Sequence, residues 1–218
     1  MAYGLHWEWR GFGAVSGSFV KKYSDLPLLF EQQEVDDLYL WVPGLKVNAK
    51  FRTGAEGGLK LKRIKDRDGS FEKWFEKPEE LFDFPLHTRA WKSLSDILKE
   101  VDIQLPDCSG SKLTREKATS LLKEAGCKPI LVKKQREAKK WQAPNGTVKV
   151  EWACIFEPQP LVSIGLENWC EDEPAEVSDE KAKVDLSAAI DFLELHREPL
   201  KIMNYVEAVE MWAGGGRI

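Results

Sequence analysis

Polar and apolar residues alternate with a period of two over several stretches of this chain. Residues Leu5 to Phe12 place His6, Glu8 and Arg10 on one side and aromatic side chains on the other, which predicts a strand with two unlike faces. A second run, Leu38 to Arg52, is broken at Pro43-Gly44 and resumes with Lys46, Asn48, Lys50 and Arg52 sharing a face. After Glu56-Gly57-Gly58 the alternation continues through Leu59 to Lys62. Asp68-Gly69 then predicts a hairpin turn into Ser70 to Glu76, where Glu72, Trp74 and Glu76 face together.

From Pro78 the pattern changes. Glu79 to Phe84 reads as a helical turn, and Thr88 to Val101 as a helix. Thr114 to Ala125 reads as another, with Thr114 as N-cap, Glu116 in its first turn, apolar Ala118, Leu121, Leu122 and Ala125, and Gly126 at its stop. Strands return at Pro129 to Lys140, at Thr147 to Phe156 after the Pro144-Asn145-Gly146 turn, and at Leu161 to Cys170. Residues 171–180 read as an acidic loop, Asp185 to Leu195 as an amphipathic helix, and Tyr205 to Trp212 as a short final helix before Gly214. A single domain over 1–218 is expected, with a strand half at 1–77, a helical middle at 78–126, a second strand half at 127–172 and closing helices at 173–213.

Any one two-faced strand is explained by a core on one side and water on the other. Here the charged face recurs, in Glu8/Arg10, Lys50/Arg52, Lys60/Lys62, Glu72/Glu76 and Lys134/Arg136, each opposite large apolar side chains. Helices packed outside the sheet would cover the apolar face, leaving the charged face to close on itself. The expected fold is therefore α+β, an antiparallel β-barrel or tunnel of about eight strands with helices outside. Same-face residues lie about 6.6 Å apart along a strand, so neighbouring strands bring several Lys and Arg heads within reach of one polyphosphate. Glutamates among them reduce cation repulsion and offer the oxygen ligands that Mg²⁺ or Mn²⁺ prefers.

Composition narrows this picture. The 218 residues are 43% hydrophobic and 31% charged with a formal charge of -4, which excludes a disordered or globally basic class. The basic run Lys128 to Lys140 contains Glu137 and stands in a net-acidic chain, so nucleic acid is not the expected partner. No apolar run approaches the roughly 20 residues needed to span a bilayer, and the first residues lack an export pattern, so a cytoplasmic location without membrane contact is expected. Cys108, Cys127, Cys154 and Cys170 form no C-x-x-C pair and read as buried thiols. His6 reads either as a hydrogen-bonded strand residue or as a metal or phosphate contact; His87 and His196 fall in helix-rich segments and read as surface or packing residues.

The order of these motifs resembles the CYTH superfamily, which includes inorganic triphosphatases, thiamine triphosphatases and class IV adenylate cyclases. His6-Trp7-Glu8-Trp9-Arg10 is similar to its opening Glu-x-Glu-x-Lys/Arg strand, Lys50-Phe51-Arg52 to its basic strand and Leu59 to Lys62 to its Leu-x-Leu-Lys strand. Leu121 to Gly126, followed by Lys134-Gln135-Arg136, resembles its helix, glycine and Lys-x-Arg strand. Val148 to Glu151, Gly165 to Glu167 and Asn204-Tyr205 resemble the acidic strand, the Gly-x-x-Glu element and the closing helix. Two departures stand out: His6 replaces the first glutamate, and the late carboxylate pair is reduced to Glu167, with Glu171 as the available substitute.

The resemblance implies a metal-dependent phosphohydrolase of inorganic tripolyphosphate or an organic triphosphate. A tunnel that binds phosphorylated ligands without turnover is the alternative, and adenylate cyclase a third. Arg10, Lys50, Arg52, Lys60, Lys62, Lys134 and Arg136 would hold phosphate oxygens. Glu8, Glu72, Glu76, Glu151 and Glu167 would hold Mg²⁺ or Mn²⁺, with Glu8 and Glu76 catalytic. Either a monomer or a homodimer is compatible with such a barrel.

Overall fold

The computed structural model describes residues 4–53, 57–169 and 178–218, without the side chains of 77–81 and 169. Eight strands close into an antiparallel barrel. They are β1 (Leu5–Gly13), β2 (Leu28–Trp41), β3 (Val47–Arg52), β4 (Gly58–Asp68), β5 (Phe71–Phe82), β6 (Lys128–Gln142), β7 (Thr147–Glu157) and β8 (Leu161–Trp169). Their order is β5-β4-β3-β2-β6-β7-β8-β1, and β1 also pairs with β5, His6 opposite Trp74 and Glu8 opposite Glu72, which closes the ring. A short β9 (Leu200–Ile202) adds to β1 outside the ring.

The outward faces are apolar and helices cover them in two patches. Val47, Ala49, Phe51, Leu59 and Leu61 pack against α2 (Thr88–Lys99) and α3 (Arg115–Glu124). Ala90, Trp91, Leu94, Ile97 and Leu98 recur at helical spacing along α2, so one face of it is buried. On the other side Trp7, Trp9, Val148, Val150, Ile164 and Leu166 meet α1 (Gly17–Ser24) and α4 (Asp179–Leu193). The fifth helix, α5 (Tyr205–Ala213), behaves differently. Its Tyr205, Ala208, Val209 and Trp212 pack on Phe12, Tyr39, Ile130, Val132 and Ile155, inward-facing residues of four strands, so α5 closes one end of the barrel.

Several boundaries differ from the sequence reading. Strand β2 begins ten residues before Leu38, and its first half pairs with β6 through polar residues that show no clean alternation. Helix α1 was not legible, because its eight residues bury only Phe19 and Tyr23. Glu79 to Phe84 is not a helical turn: β5 runs through Pro78 to Phe82, which pairs with Leu59. A register shift between Lys60 and Lys62 places the extra β5 residues in a bulge, where a proline is tolerated. Helix α4 starts at Asp179, well before Asp185, because Ser178 caps it and Asp179 and Glu180 complement its N-terminal dipole. Cys170, Glu171 and most of the acidic loop lie outside the described residues; Cys127 is buried, whereas Cys108 and Cys154 are half-buried. Among the described residues no helix is long and apolar enough to cross a membrane.

Candidate functional site

Because side chains alternate along each strand, the faces opposite the two helix patches point into the barrel. His6, Glu8 and Arg10 come from β1, Asp37 and Tyr39 from β2, Lys50 and Arg52 from β3, and Lys60 and Lys62 from β4. Glu72, Trp74 and Glu76 come from β5, Lys134 and Arg136 from β6, Lys149 and Glu151 from β7, and Ser163 and Glu167 from β8. Arg10, Lys50, Arg52, Lys60, Lys62, Lys134 and Arg136 thus share one lumen, arranged around carboxylates in three groups, whereas Lys46, expected on the face of Lys50 and Arg52, is exposed ahead of β3.

The innermost group lies next to α5. Asp37 is fully buried and accepts from Arg52 Nε at 2.7 Å and Arg52 Nη2 at 3.0 Å, while Lys50 Nζ and Lys134 Nζ each approach it at 3.2 Å. Burial alone would raise this carboxyl, but Lys50, Arg52 and Lys134 hold it well below the usual carboxylate range. Burial pushes the Lys50 ammonium well below its ordinary value, helped by Arg52 and only partly opposed by Asp37. Lys134 Nζ also lies 4.4 Å over the Tyr205 ring, and Tyr39 and Tyr205 stack with centroids 5.4 Å apart. Lys60, buried, stands opposite Lys50 in register.

The middle group is centred on Glu151, which accepts from Arg10 Nη1 at 3.3 Å and Arg136 Nη1 at 3.2 Å. Against the effect of burial, Arg10, Lys149 and Arg136 hold its carboxyl well below the ordinary range. Arg10 also donates to Ser163 Oγ at 2.9 Å, and its guanidinium packs over Gly165, where an added Cβ would come within 2.5 Å of Nη2. A glycine at this position of β8 therefore leaves room for the arginine.

The outer group joins His6, Glu8 and Glu167, whose ligand atoms all lie within 4.8 Å of one another. His6 Nε2 is 2.7 Å from Glu8 Oε1, Lys62 pairs with the same oxygen, and Lys149 Nζ donates to Glu167 Oε2 at 2.8 Å. Burial opposes ionisation of Glu8, but Lys62 and the His6 hydrogen bond keep it far below its ordinary value. The two carboxylates offer the oxygen donors that Mn²⁺ or Mg²⁺ prefers, whereas the imidazole is a poorer Mg²⁺ ligand than a carboxylate. Exposure rises toward this end, from 0% and 2% for the side chains of Asp37 and Lys134 to 17% and 20% for Lys62 and His6, with Lys50 at 11% and Glu8 at 9% between them.

The five carboxylates expected to act together are thus separated. Glu8 and Glu167 meet in the outer group, Glu151 stands among arginines, and Glu76 lies across from Lys62 in register. Glu72 accepts from Asn204 Nδ2 at 2.7 Å and from Trp74 Nε1 at 3.1 Å and pairs with Arg67 at 3.0 Å; burial raises its carboxyl above the ordinary value. Asp37 and Lys149 were missed by the sequence reading. Both could have been found by parity, Asp37 and Tyr39 alternating with Leu38 and Leu40, and Lys149 sharing the face of Glu151.

No family model matches the chain, and no curated protein matches it. Solved structures do. A conserved hypothetical protein of Pyrococcus furiosus is 19% identical with a TM-score of 0.54, covering 92% of this chain and 98% of that one. The PH1819 protein of Pyrococcus horikoshii is 14% identical with a TM-score of 0.50, covering 93% and 97%. A Bacillus halodurans protein described as a candidate adenylate cyclase is 14% identical over 88% and 91%, at a TM-score of 0.40 that carries no argument. At these identities the Pyrococcus proteins share the fold alone, almost end to end, and the eight-stranded barrel fits the tunnel that the sequence resemblance implies.

Proposed function

We propose that this protein belongs with the CYTH-type tunnel proteins and is a metal-dependent phosphohydrolase of inorganic tripolyphosphate or an organic triphosphate. The observation that carries this reading is the convergence of Arg10, Lys60, Lys62, Arg136 and Lys149 from four strands on one enclosed lumen with carboxylates at its accessible end. Arginine forks and lysine ammonium groups bind and orient phosphate oxygens, and the low-dielectric lumen strengthens those contacts. His6, Glu8 and Glu167 would hold Mn²⁺ or Mg²⁺, which when bound neutralises charge on the phosphate oxygens.

A specific observation favours the second reading, a binder without turnover. Glu8 is already engaged by Lys62 and His6, and Glu151 by two arginines, so the carboxylates are neutralised by the protein itself. Phosphate release from tripolyphosphate, thiamine triphosphate and ATP with Mn²⁺ or Mg²⁺ separates the two, with Glu8→Gln and Lys149→Ala as controls. Metal-dependent release that is lost in Glu8→Gln and weakened in Lys149→Ala is expected. Tripolyphosphate-induced thermal stabilisation without release would leave the binder, and neither response would sink both.

A further inference from the structure

The innermost group is built as an anion site that already contains an anion. Asp37 meets the Nε and Nη2 edge of Arg52 and two lysine ammonium groups, from β3 and β6, and no part of it reaches solvent. The guanidinium fork binds a phosphate as readily as a carboxylate, and lysines follow either as point charges. Behind this group the barrel ends: Tyr205 of α5 stacks on Tyr39, and its hydroxyl accepts from Lys134 Nζ at 3.3 Å. A linear polyanion entering past His6 and Lys62 would therefore end beside Asp37 and Arg10, whose guanidinium lies 5.0 Å over the same Tyr205 ring.

We propose that Asp37 is a resident anion that occupies, at the closed end of the lumen, the place a further phosphate would take, and so limits how many phosphates of a chain the lumen accepts. This rests on the phosphate-binding reading of the lumen. Asp37 is a specificity determinant rather than a catalytic residue. One carboxylate is shared by the Arg52 fork and the ammonium groups of Lys50 and Lys134, which are the groups a phosphate oxygen in its place would meet. Removing Asp37 converts the group into an unfilled site for a small anion.

The test is Asp37→Ala in the full chain at low salt, followed by thermal melting against formate, inorganic phosphate and polyphosphates of three and four units. Wild type and Asp185→Ala are the controls; Asp185 is buried but outside the lumen, accepting from the Asn145 backbone and side chain at 3.0 Å. Asp37→Ala is expected to melt lower than wild type and to recover saturably with formate, to which neither control responds, and to gain more from inorganic phosphate than either control. Its preference for the four-unit over the three-unit chain is expected to rise about tenfold relative to wild type. Recovery no greater than that of Asp185→Ala, or an unchanged length preference, overturns the proposal. If Asp37→Ala does not fold, Asp37→Asn with Lys50→Met removes one cation together with the anion. That protein should bind inorganic phosphate about tenfold more tightly than wild type, and equal binding overturns the proposal as well. A wild type that ignores tripolyphosphate would defeat the phosphate reading of the lumen, whereas a responsive wild type with an unrescued Asp37→Ala defeats only the role of Asp37.

Discussion

The two ends of the lumen use the same residue types to opposite effect. At the closed end one fully buried carboxylate is saturated by an arginine fork and two lysines, and aromatic rings seal it from water. At the accessible end Glu8 and Glu167 are shared among His6, Lys62 and Lys149, side chains 15% to 20% exposed. Buried pairs of the first kind are costly to break because the surviving charge has no water to turn to. Glu8 and Glu167 are largely buried too, but their partners reach solvent, so those partners can be exchanged for a ligand or an ion at lower cost than at the closed end.

Mutations at the two ends should therefore separate. The largest effect is expected for Asp37→Ala, about 3–5 kcal/mol of lost stability by urea unfolding, since it removes the buried carboxylate that Arg52, Lys50 and Lys134 share. Glu151→Gln, which removes the carboxylate shared by Arg10 and Arg136 but leaves Arg10 its bond to Ser163 and Arg136 its bond to Gln33, should cost on the order of 3 kcal/mol. At the accessible end Glu167→Gln should cost about 1 kcal/mol or less, yet abolish any Mn²⁺-induced rise in melting temperature. A closed-end cost no larger than the accessible-end one would remove the distinction.

The carboxylates also set a pH dependence. Asp37 and Glu151 have folded pKa values below their unfolded ones, so the folded state binds fewer protons through the acid range. Their contribution is fully present above about pH 5 and is lost as pH falls through the folded values. Glu72 runs the other way: its raised folded value means that its ionisation costs stability as pH climbs from its unfolded value through the raised one. Urea titrations from pH 3 to pH 7 should show wild-type stability rising with pH, with a shallower rise in Glu151→Gln. The smallest effect expected is a gain of Glu72→Gln relative to wild type as pH rises over the same range; a constant difference would show that Glu72 does not titrate differently on folding.

What could be read in the sequence follows a physical line. Where one face of a strand is covered by a helix and the other lines the lumen, alternation is sharp, and Lys50/Arg52, Lys60/Lys62 and Lys134/Arg136 were assigned to one face by parity alone. The first half of β2 was not legible, since Glu31 to Glu34 are mostly exposed and show no apolar face, and the strand exists there because β6 pairs with it. Asp37 fell just outside the recognised run for that reason. Helix α4 was read from its apolar stripe, but its start depended on the Ser178 cap.

Period-two patterning commits this chain to two groups of two-faced strands around a helical middle, because each side chain is assigned to a face before any strand finds its neighbour. Strand pairing in three dimensions is what joins β1 to β5 to close the ring, brings Glu8 to His6 and Glu167 while Glu72 turns to Asn204, and sets α5 across one end. Parity says which side a residue faces. How far along the lumen it sits, and which partner from another strand meets it there, depends on strand register and stagger, which are set by pairing across the whole sheet.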